Sequence, residues 1–262
     1  MTRSKFSSWL GLTVILLFAG CDSTWTLDFS NVGQTSSPII APAQLYDTWT
    51  SVTTGVDFKQ LLVTVNNHEE LLDVVRIDPA IADIQLHIQE TDPATVSTWQ
   101  SQLGASVVIN ASYFDEAYQL VTRTKTDTAE AGPLLSGRTG YFYQVNEQWK
   151  ISDTMDTTAH QLLQSYPLLV SAGEATLNDS DTDTAQRTVV ATGPNSELYL
   201  IVAEYGVLSL EQLSQALADL DHPTIEMALN LDGGSSTGLA IESNSVSYLD
   251  DSFLVPSVVA IQ

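Results

Sequence analysis

The sequence of 262 residues contains a single cysteine, Cys21. Without a second thiol there is no internal disulfide and no cysteine metal site, so the fold must be held by its apolar core. Positive charge is nearly as scarce: Lys plus Arg number 9 against 32 Asp plus Glu, a net charge of −23. That balance repels nucleic-acid phosphates and anionic lipid surfaces, and no basic cluster offsets it, which excludes nucleic acid as a partner. From Thr188 to Gln262 there is no Lys or Arg, leaving Arg187 as the only guanidinium near the C-terminal motifs. Long apolar runs are missing as well: Leu10 to Phe18 is too short to span a bilayer as a stable helix. A calcium loop is imitated from Asp179 to Asp183, but Thr184 stands where a glycine is needed and Val190 where a bidentate Glu is needed. No cofactor is expected, and a divalent cation is left open.

What is present begins with a leader pattern. Arg3 and Lys5 precede the short apolar run, and Phe18-Ala19-Gly20-Cys21 follows it. Small residues directly before a cysteine resemble a bacterial lipoprotein signal. This implies residues 1–20 as a signal peptide and Cys21 as a lipidated N-terminus that anchors the protein to a membrane in the cell envelope, outside the cytoplasm. Residues 21–44, rich in Ser, Thr, Asn, Gly and Pro, suit a flexible tether. The remaining 45–262 are expected as one domain.

Within that domain, short runs rich in Val, Ile and Leu at 57–65, 71–77 and 84–88 read as strands. Val96, Trp99 and Leu103 have helical spacing after Asp92-Pro93, and this helix feeds the apolar strand Val107-Val108-Ile109. The strand ends in Asn110-Ala111-Ser112-Tyr113-Phe114-Asp115, where an amide, a phenol and a carboxylate emerge together. Residues 116–136 are polar and form a long excursion, either a flap over a site or a plain surface loop. A hairpin is expected around Asn146-Glu147, a short helix over Thr158 to Ser165, strands at 187–191 and 198–203, and a helix from Ser209 to Leu220. Ser209 and Gln212 fit a capping box, and Leu210, Leu213, Leu217 and Leu220 form its apolar stripe. The expected fold class is α+β: one strongly twisted mixed sheet with a few packed helices.

The most distinctive stretch is Asn230-Leu231-Asp232-Gly233-Gly234-Ser235-Ser236-Thr237-Gly238, between the apolar runs 227–229 and 239–241. Asp-Gly-Gly is a common hairpin turn. It also suits an anion cradle beside an acid, because glycines let backbone N–H groups face a ligand without a Cβ in the way. Arg187 has two readings as well: a planar fork on two phosphate oxygens, or a salt bridge with one of the many acids.

Taken in order, the segment 110–115, Gln164-Ser165-Tyr166-Pro167-Leu168-Leu169-Val170, Arg187-Thr188, the capped helix, the segment 228–236 and Val255-Pro256-Ser257-Val258-Val259 resemble the phosphodiester glycosidase family. The likeness covers about residues 55 to 262. Two departures stand near the presumed site: Ala111-Ser112 where the family often has two glycines, and two glycines at 233–234 where three are common. The resemblance implies hydrolysis of the sugar–oxygen bond of a sugar-1-phosphodiester, with a carbohydrate phosphodiester as partner. On that reading Asp232 is base or nucleophile, Asp115 is the other catalytic residue and with Asn110 orients the sugar or water, and Asn110, Tyr113, Arg187, Gly233, Gly234, Ser235 and Ser236 bind substrate. A serine hydrolase built on Ser235 or Ser236 is a weaker alternative, since no histidine has a recognisable partner motif. A lipid-anchored glycan-binding or assembly protein without turnover is the third.

Overall fold

The computed structural model describes residues 46–137, 140–178 and 182–262. The expected leader 1–20, the lipidated Cys21 and the tether 21–44 lie outside the described residues, as do Asp179 to Asp181 of the acidic run. Residues 44–262 make up one compact unit.

Two large sheets share one core. The first runs Thr50–Thr53, Val56–Val65, His68–Ile77, Leu198–Ala203, Arg187–Thr192, Met227–Asn230, Leu168–Ser171, Glu174–Ala175 in spatial order. The second runs Ser247–Asp250, Leu239–Glu242, Val107–Asn110, Ser257–Ile261, Ile84–Ile88. Side chains alternate between faces along a strand, so Ile109 and Val190 point into the shared core while Val108 and Val189 belong to outer clusters. Helix α1 (Val96–Leu103) covers the outer face of the second sheet through Val96 and Trp99; helix α2 (Leu210–Ala218) covers that of the first through Leu213, Ala216 and Leu217. With both faces of each sheet covered, the central strands are apolar throughout, which is why Leu198–Ala203 shows no alternation.

Both helices start at firm caps. The Thr95 side chain accepts the Thr98 N–H at the head of α1, and α2 has the full capping box of Ser209 and Gln212. At the far end of α1, Gly104 takes the left-handed conformation, φ 64°.

The expected mixed sheet is not found: every strand pair among the described residues is antiparallel. The reason lies in the crossovers. Helix α1 joins Ile84–Ile88 to Val107–Asn110, which run in the same direction, but Ser257–Ile261 inserts between them. Helix α2 joins Leu198–Ala203 to Met227–Asn230, and Arg187–Thr192 separates that pair. Strand–helix–strand order along the chain therefore persists without parallel neighbours. The fold is mostly β, with these two α-helices.

The helix expected over Thr158 to Ser165 is also corrected. Gln161–Ser165 is the central strand of a third sheet, flanked by Thr124–Lys125 and Gly140–Val145. Leu163 faces the main core and Leu162 a satellite cluster with Tyr141 and Tyr143, so tertiary burial on two sides overrides local propensity. Its glutamines are satisfied: Gln161 accepts the Leu86 N–H at 2.7 Å, and the Gln164 side chain bonds both the N–H and the carbonyl of Leu135. The 116–136 excursion thus contributes two short strands to this sheet, and Thr122 and Thr124 are buried. The expected Asn146-Glu147 hairpin forms between Gly140–Val145 and Gln148–Ser152, with both turn residues at positive φ.

One buried acid ties the two large sheets together. Asp73, fully buried on the first sheet, accepts hydrogen bonds from Gln60 Nε2 at 2.8 Å and from the hydroxyl of Tyr248, on the second sheet, at 2.7 Å. Burial pushes its carboxyl up to about 7; the two hydrogen bonds oppose this, and Glu204 and Asp250 add to it. Because the folded value lies above the unfolded one of 3.8, the folded state holds the extra proton between the two, and the associated stability is lost as pH rises through 7. Going from pH 5 to pH 8, the wild-type unfolding free energy is expected to fall by about 3 kcal/mol relative to Asp73→Asn. Denaturant unfolding at both pH values measures this; parallel pH curves for the two proteins would refute it.

Candidate active site

Past Asn230 the chain leaves one sheet for the other. The Leu231 N–H donates to Thr188 O at 2.8 Å, on the first sheet, and the next residue, Asp232, donates its N–H to Ala111 O at 3.1 Å, beside the second. After a single 3-10 turn over Gly234–Ser236, the strand Leu239–Glu242 pairs with Val107–Asn110. Asp232 therefore stands where the two sheets part.

Asn110 fixes that crossing. It is fully buried, its Nδ2 donates to Asp232 O at 2.8 Å, and its Oδ1 accepts the Thr188 hydroxyl at 2.6 Å and the Gly238 N–H at 3.2 Å. The amide thus holds both ends of the 232–238 loop and the strand of Arg187. Expected as a substrate contact, Asn110 is fully buried and bonds three protein groups, which makes it a positioning residue.

The Asp232 carboxylate accepts the Gly233 N–H at 2.9 Å and the hydroxyl of Ser236, while burial, the largest influence, pushes its pKa up to about 6. Gly233 is required by close approach: a Cβ there would lie 2.9 Å from the Gln186 carbonyl oxygen and 3.4 Å from Arg187 Cδ. Gly234 is required by its positive φ of 63°. The loop is less of an anion cradle than the sequence suggests. The Gly233 N–H goes to Asp232 and the Gly234 N–H to Gln186 O at 2.8 Å, so neither faces a ligand. Ser235 is exposed.

Arg187 flanks this loop. Its Nη2 donates to Asp183 O at 3.1 Å, and its Nε is buried with no protein partner. Among the described residues the ion pairs are Arg76 with Asp57 and Arg123 with Glu130; Arg187 belongs to neither. A buried guanidinium N–H left unpaired is unfavourable unless an acceptor arrives.

Tyr113 shares the same neighbourhood. Its hydroxyl donates to Tyr166 O at 2.9 Å, and its ring stacks on Tyr166 at 4.8 Å. Burial pushes its phenol well up, the Asp232 charge adds to this, and Arg187 opposes it. Asn230, a position sequence reasoning did not assign to the site, donates from Nδ2 to the Tyr113 hydroxyl at 2.7 Å and leaves its buried Oδ1 without a partner. Its signal was a second asparagine ending an apolar strand, the same pattern as Asn110.

Asp115 behaves differently. It is exposed, and its Oδ1 accepts the N–H groups of Ala117 and Gln119, both at 2.9 Å, so it organises the 115–119 turn. Gly234-Ser235-Ser236-Thr237-Gly238 has the spacing of a serine-hydrolase elbow, but the chain passes from a 3-10 turn into a strand rather than a helix, and the Ser236 hydroxyl serves Asp232. Among the described residues no group of three or more His, Cys, Asp or Glu is arranged to hold a metal ion. A separate cavity of about 590 Å³, lined by residues including Val65, His68, Glu211 and Gln215, contains none of these motif residues.

At this sheet junction an acid, a guanidinium with an unpaired N–H and a tyrosine hydroxyl share one neighbourhood. The chain belongs to the phosphodiester glycosidase family, whose sequence pattern matches residues 89–262. No curated protein sequence matches it. Solved structures that share its fold include the following two. The catalytic domain of zebrafish N-acetylglucosamine-1-phosphodiester alpha-N-acetylglucosaminidase, auto-inhibited by its pro-peptide, superposes with a TM-score of 0.64 at 16% identity, over 82% of this chain and 87% of that one. A hypothetical protein from Synechocystis superposes with a TM-score of 0.60 at 16% identity, over 82% of this chain; the chain spans 63% of that protein.

Asn110→Ala removes the partners of Asp232 O, Thr188 Oγ1 and Gly238 N–H, each loss costing about 1–3 kcal/mol. Unfolding in denaturant is expected to register a loss of about 3 kcal/mol or more. A change below about 0.5 kcal/mol would contradict the positioning role.

Proposed function

We propose that the protein is a glycosidase that hydrolyses the sugar–oxygen bond of a sugar-1-phosphodiester in an envelope glycan or glycoconjugate. The observation that carries this reading is the packing of the Arg187 side chain, its Nε buried and unpaired, against Gly233 of the loop that bears the partly buried carboxylate of Asp232.

A phosphodiester carries one negative charge, and Arg187 offers it a fixed, charge-assisted donor in an otherwise strongly acidic protein. The exposed Ser235 hydroxyl supplies a further donor. With a pKa near 6, Asp232 is mostly ionised at neutral pH and suited to act as base or nucleophile. In the base form of the reaction the C1–O bond breaks with its electron pair passing to the phosphate oxygen. Water forms the new bond to C1, and its proton goes to Asp232. Phosphate is a good leaving group, so no strong general acid is needed, and Asp115 is assigned to its turn rather than to the chemistry. Tyr113 and Asn230 bond each other near the carboxylate. The leader and lipidated Cys21 expected from the sequence would keep the enzyme beside polymeric substrates outside the cytoplasm.

Purified protein assayed against sugar-1-phosphodiesters tests the reading, with release of free sugar as the readout. Asp232→Asn is expected to lower kcat/KM by about 10²–10⁴, whereas Asp115→Asn, whose Oδ1 still accepts both turn N–H groups, should stay within about threefold of wild type. Since the ionised carboxylate is the active form, kcat/KM should rise as pH passes through about 6. A folded Asp232→Asn protein with undiminished turnover would overturn the assignment. Binding without product would favour a non-catalytic glycan-binding protein.

A further inference from the structure

Phe253 is 74% exposed, the most exposed large apolar side chain among the described residues. An aromatic ring in solvent is unremarkable when its backbone is loose, but this one is tightly held. The preceding Asp251 accepts the Ser97 N–H at 3.2 Å and the Ser97 hydroxyl at 2.7 Å, at the start of α1. Ser252 accepts the Val96 N–H at 3.1 Å and packs so closely on Gly238 that a Cβ there would lie 2.7 Å from the Ser252 nitrogen. After Phe253, Val255 exchanges backbone hydrogen bonds with Ala94 and accepts the Trp99 indole N–H at 3.0 Å. The Phe253 N–H itself donates to Ser235 O at 2.9 Å. The segment is therefore pinned to α1 on one side and to the Asp232 loop on the other, yet it presents its ring outward.

We propose that Phe253 is a stacking platform for a sugar ring of the substrate and a determinant of its specificity; the proposal rests on the glycosidase reading above. The direction follows from the loop. Its Gly233 end lies against Arg187 and its Ser235 end against Phe253, with Asp232 at the loop's start. A phosphodiester held by the guanidinium thus has its glycosyl part toward Ser235 and the aromatic ring. The axial C–H face of a pyranose is apolar and covers a phenyl ring, while its hydroxyl edge meets hydrogen-bonding groups, here the Ser235 hydroxyl. The net charge of −23 disfavours an anionic lipid surface as the occupant. Because the backbone is already fixed, stacking requires little further ordering of the chain.

The test compares wild type, Phe253→Ala and Phe253→Trp with the methyl phosphodiesters of glucose 1-phosphate and N-acetylglucosamine 1-phosphate as probes. Turnover is followed as free sugar, and binding is measured in an Asp232→Asn background. For Phe253→Ala, the expected result is a rise in KM and in Kd of about tenfold, kcat lowered less than about threefold, and inhibition by inorganic phosphate unchanged; Phe253→Trp restores the wild-type values. An unchanged midpoint of thermal unfolding excludes a merely structural effect. Turnover with KM and Kd unaffected by Phe253→Ala overturns the platform and leaves the glycosidase reading standing. Phe253-dependent binding without turnover by wild type supports the platform and sinks that reading.

Discussion

Three hydrogen bonds from one buried amide organise this molecule's chemistry. Asn110 ends a strand of the second sheet, yet its side chain ties together Thr188 of the first sheet, the backbone of Asp232 where the chain changes sheets, and Gly238 where the loop closes. A buried amide must have its groups paired, and these partners come from two distant parts of the chain, Thr188 and the 232–238 loop. The geometry of the site is therefore a consequence of satisfying Asn110, and the carboxylate of Asp232 is set in place without touching it.

Charge decides what the site receives. With 9 cationic residues against 32 acids, a guanidinium would be expected to find a carboxylate, as Arg76 and Arg123 do. Arg187 instead bonds a backbone carbonyl and keeps Nε buried and unpaired. Asp232, next to it in space through Gly233, is raised by burial rather than lowered by a salt bridge. On the proposed function, an incoming phosphodiester would be the acceptor for the guanidinium that the protein's own acids do not supply.

Much of the architecture was legible because its signals are local. The capping box of Ser209 and Gln212, the spacing of Val96 and Trp99, and the Asn146-Glu147 turn each fix an element within a few residues. The sheet order was not, since the strands that separate the crossover partners come from elsewhere: Ser257–Ile261 from the C-terminus and Arg187–Thr192 from before its sheet partner. Gln161–Ser165 looked helical because a strand buried on both sides shows no period of two. In the candidate site, polar residues after apolar strands were legible, but what each side chain touches was not. Asn110 and Asp115 both follow an apolar strand, and only coordinates separate the amide that clamps the loop from the carboxylate that builds a turn. The exposure of Phe253 depends on how Asp251 and Ser252 are tied to α1.

The central claim is that the Asn110 clamp creates a single anion position between Arg187 and Asp232. A crystal structure of the Asp232→Asn protein with a sugar-1-phosphodiester addresses it most directly. A phosphate oxygen within hydrogen-bond reach of the Arg187 guanidinium, with C1 facing residue 232, is the predicted result. A phosphodiester bound elsewhere, or an Arg187 guanidinium paired with a protein carboxylate, would contradict the account.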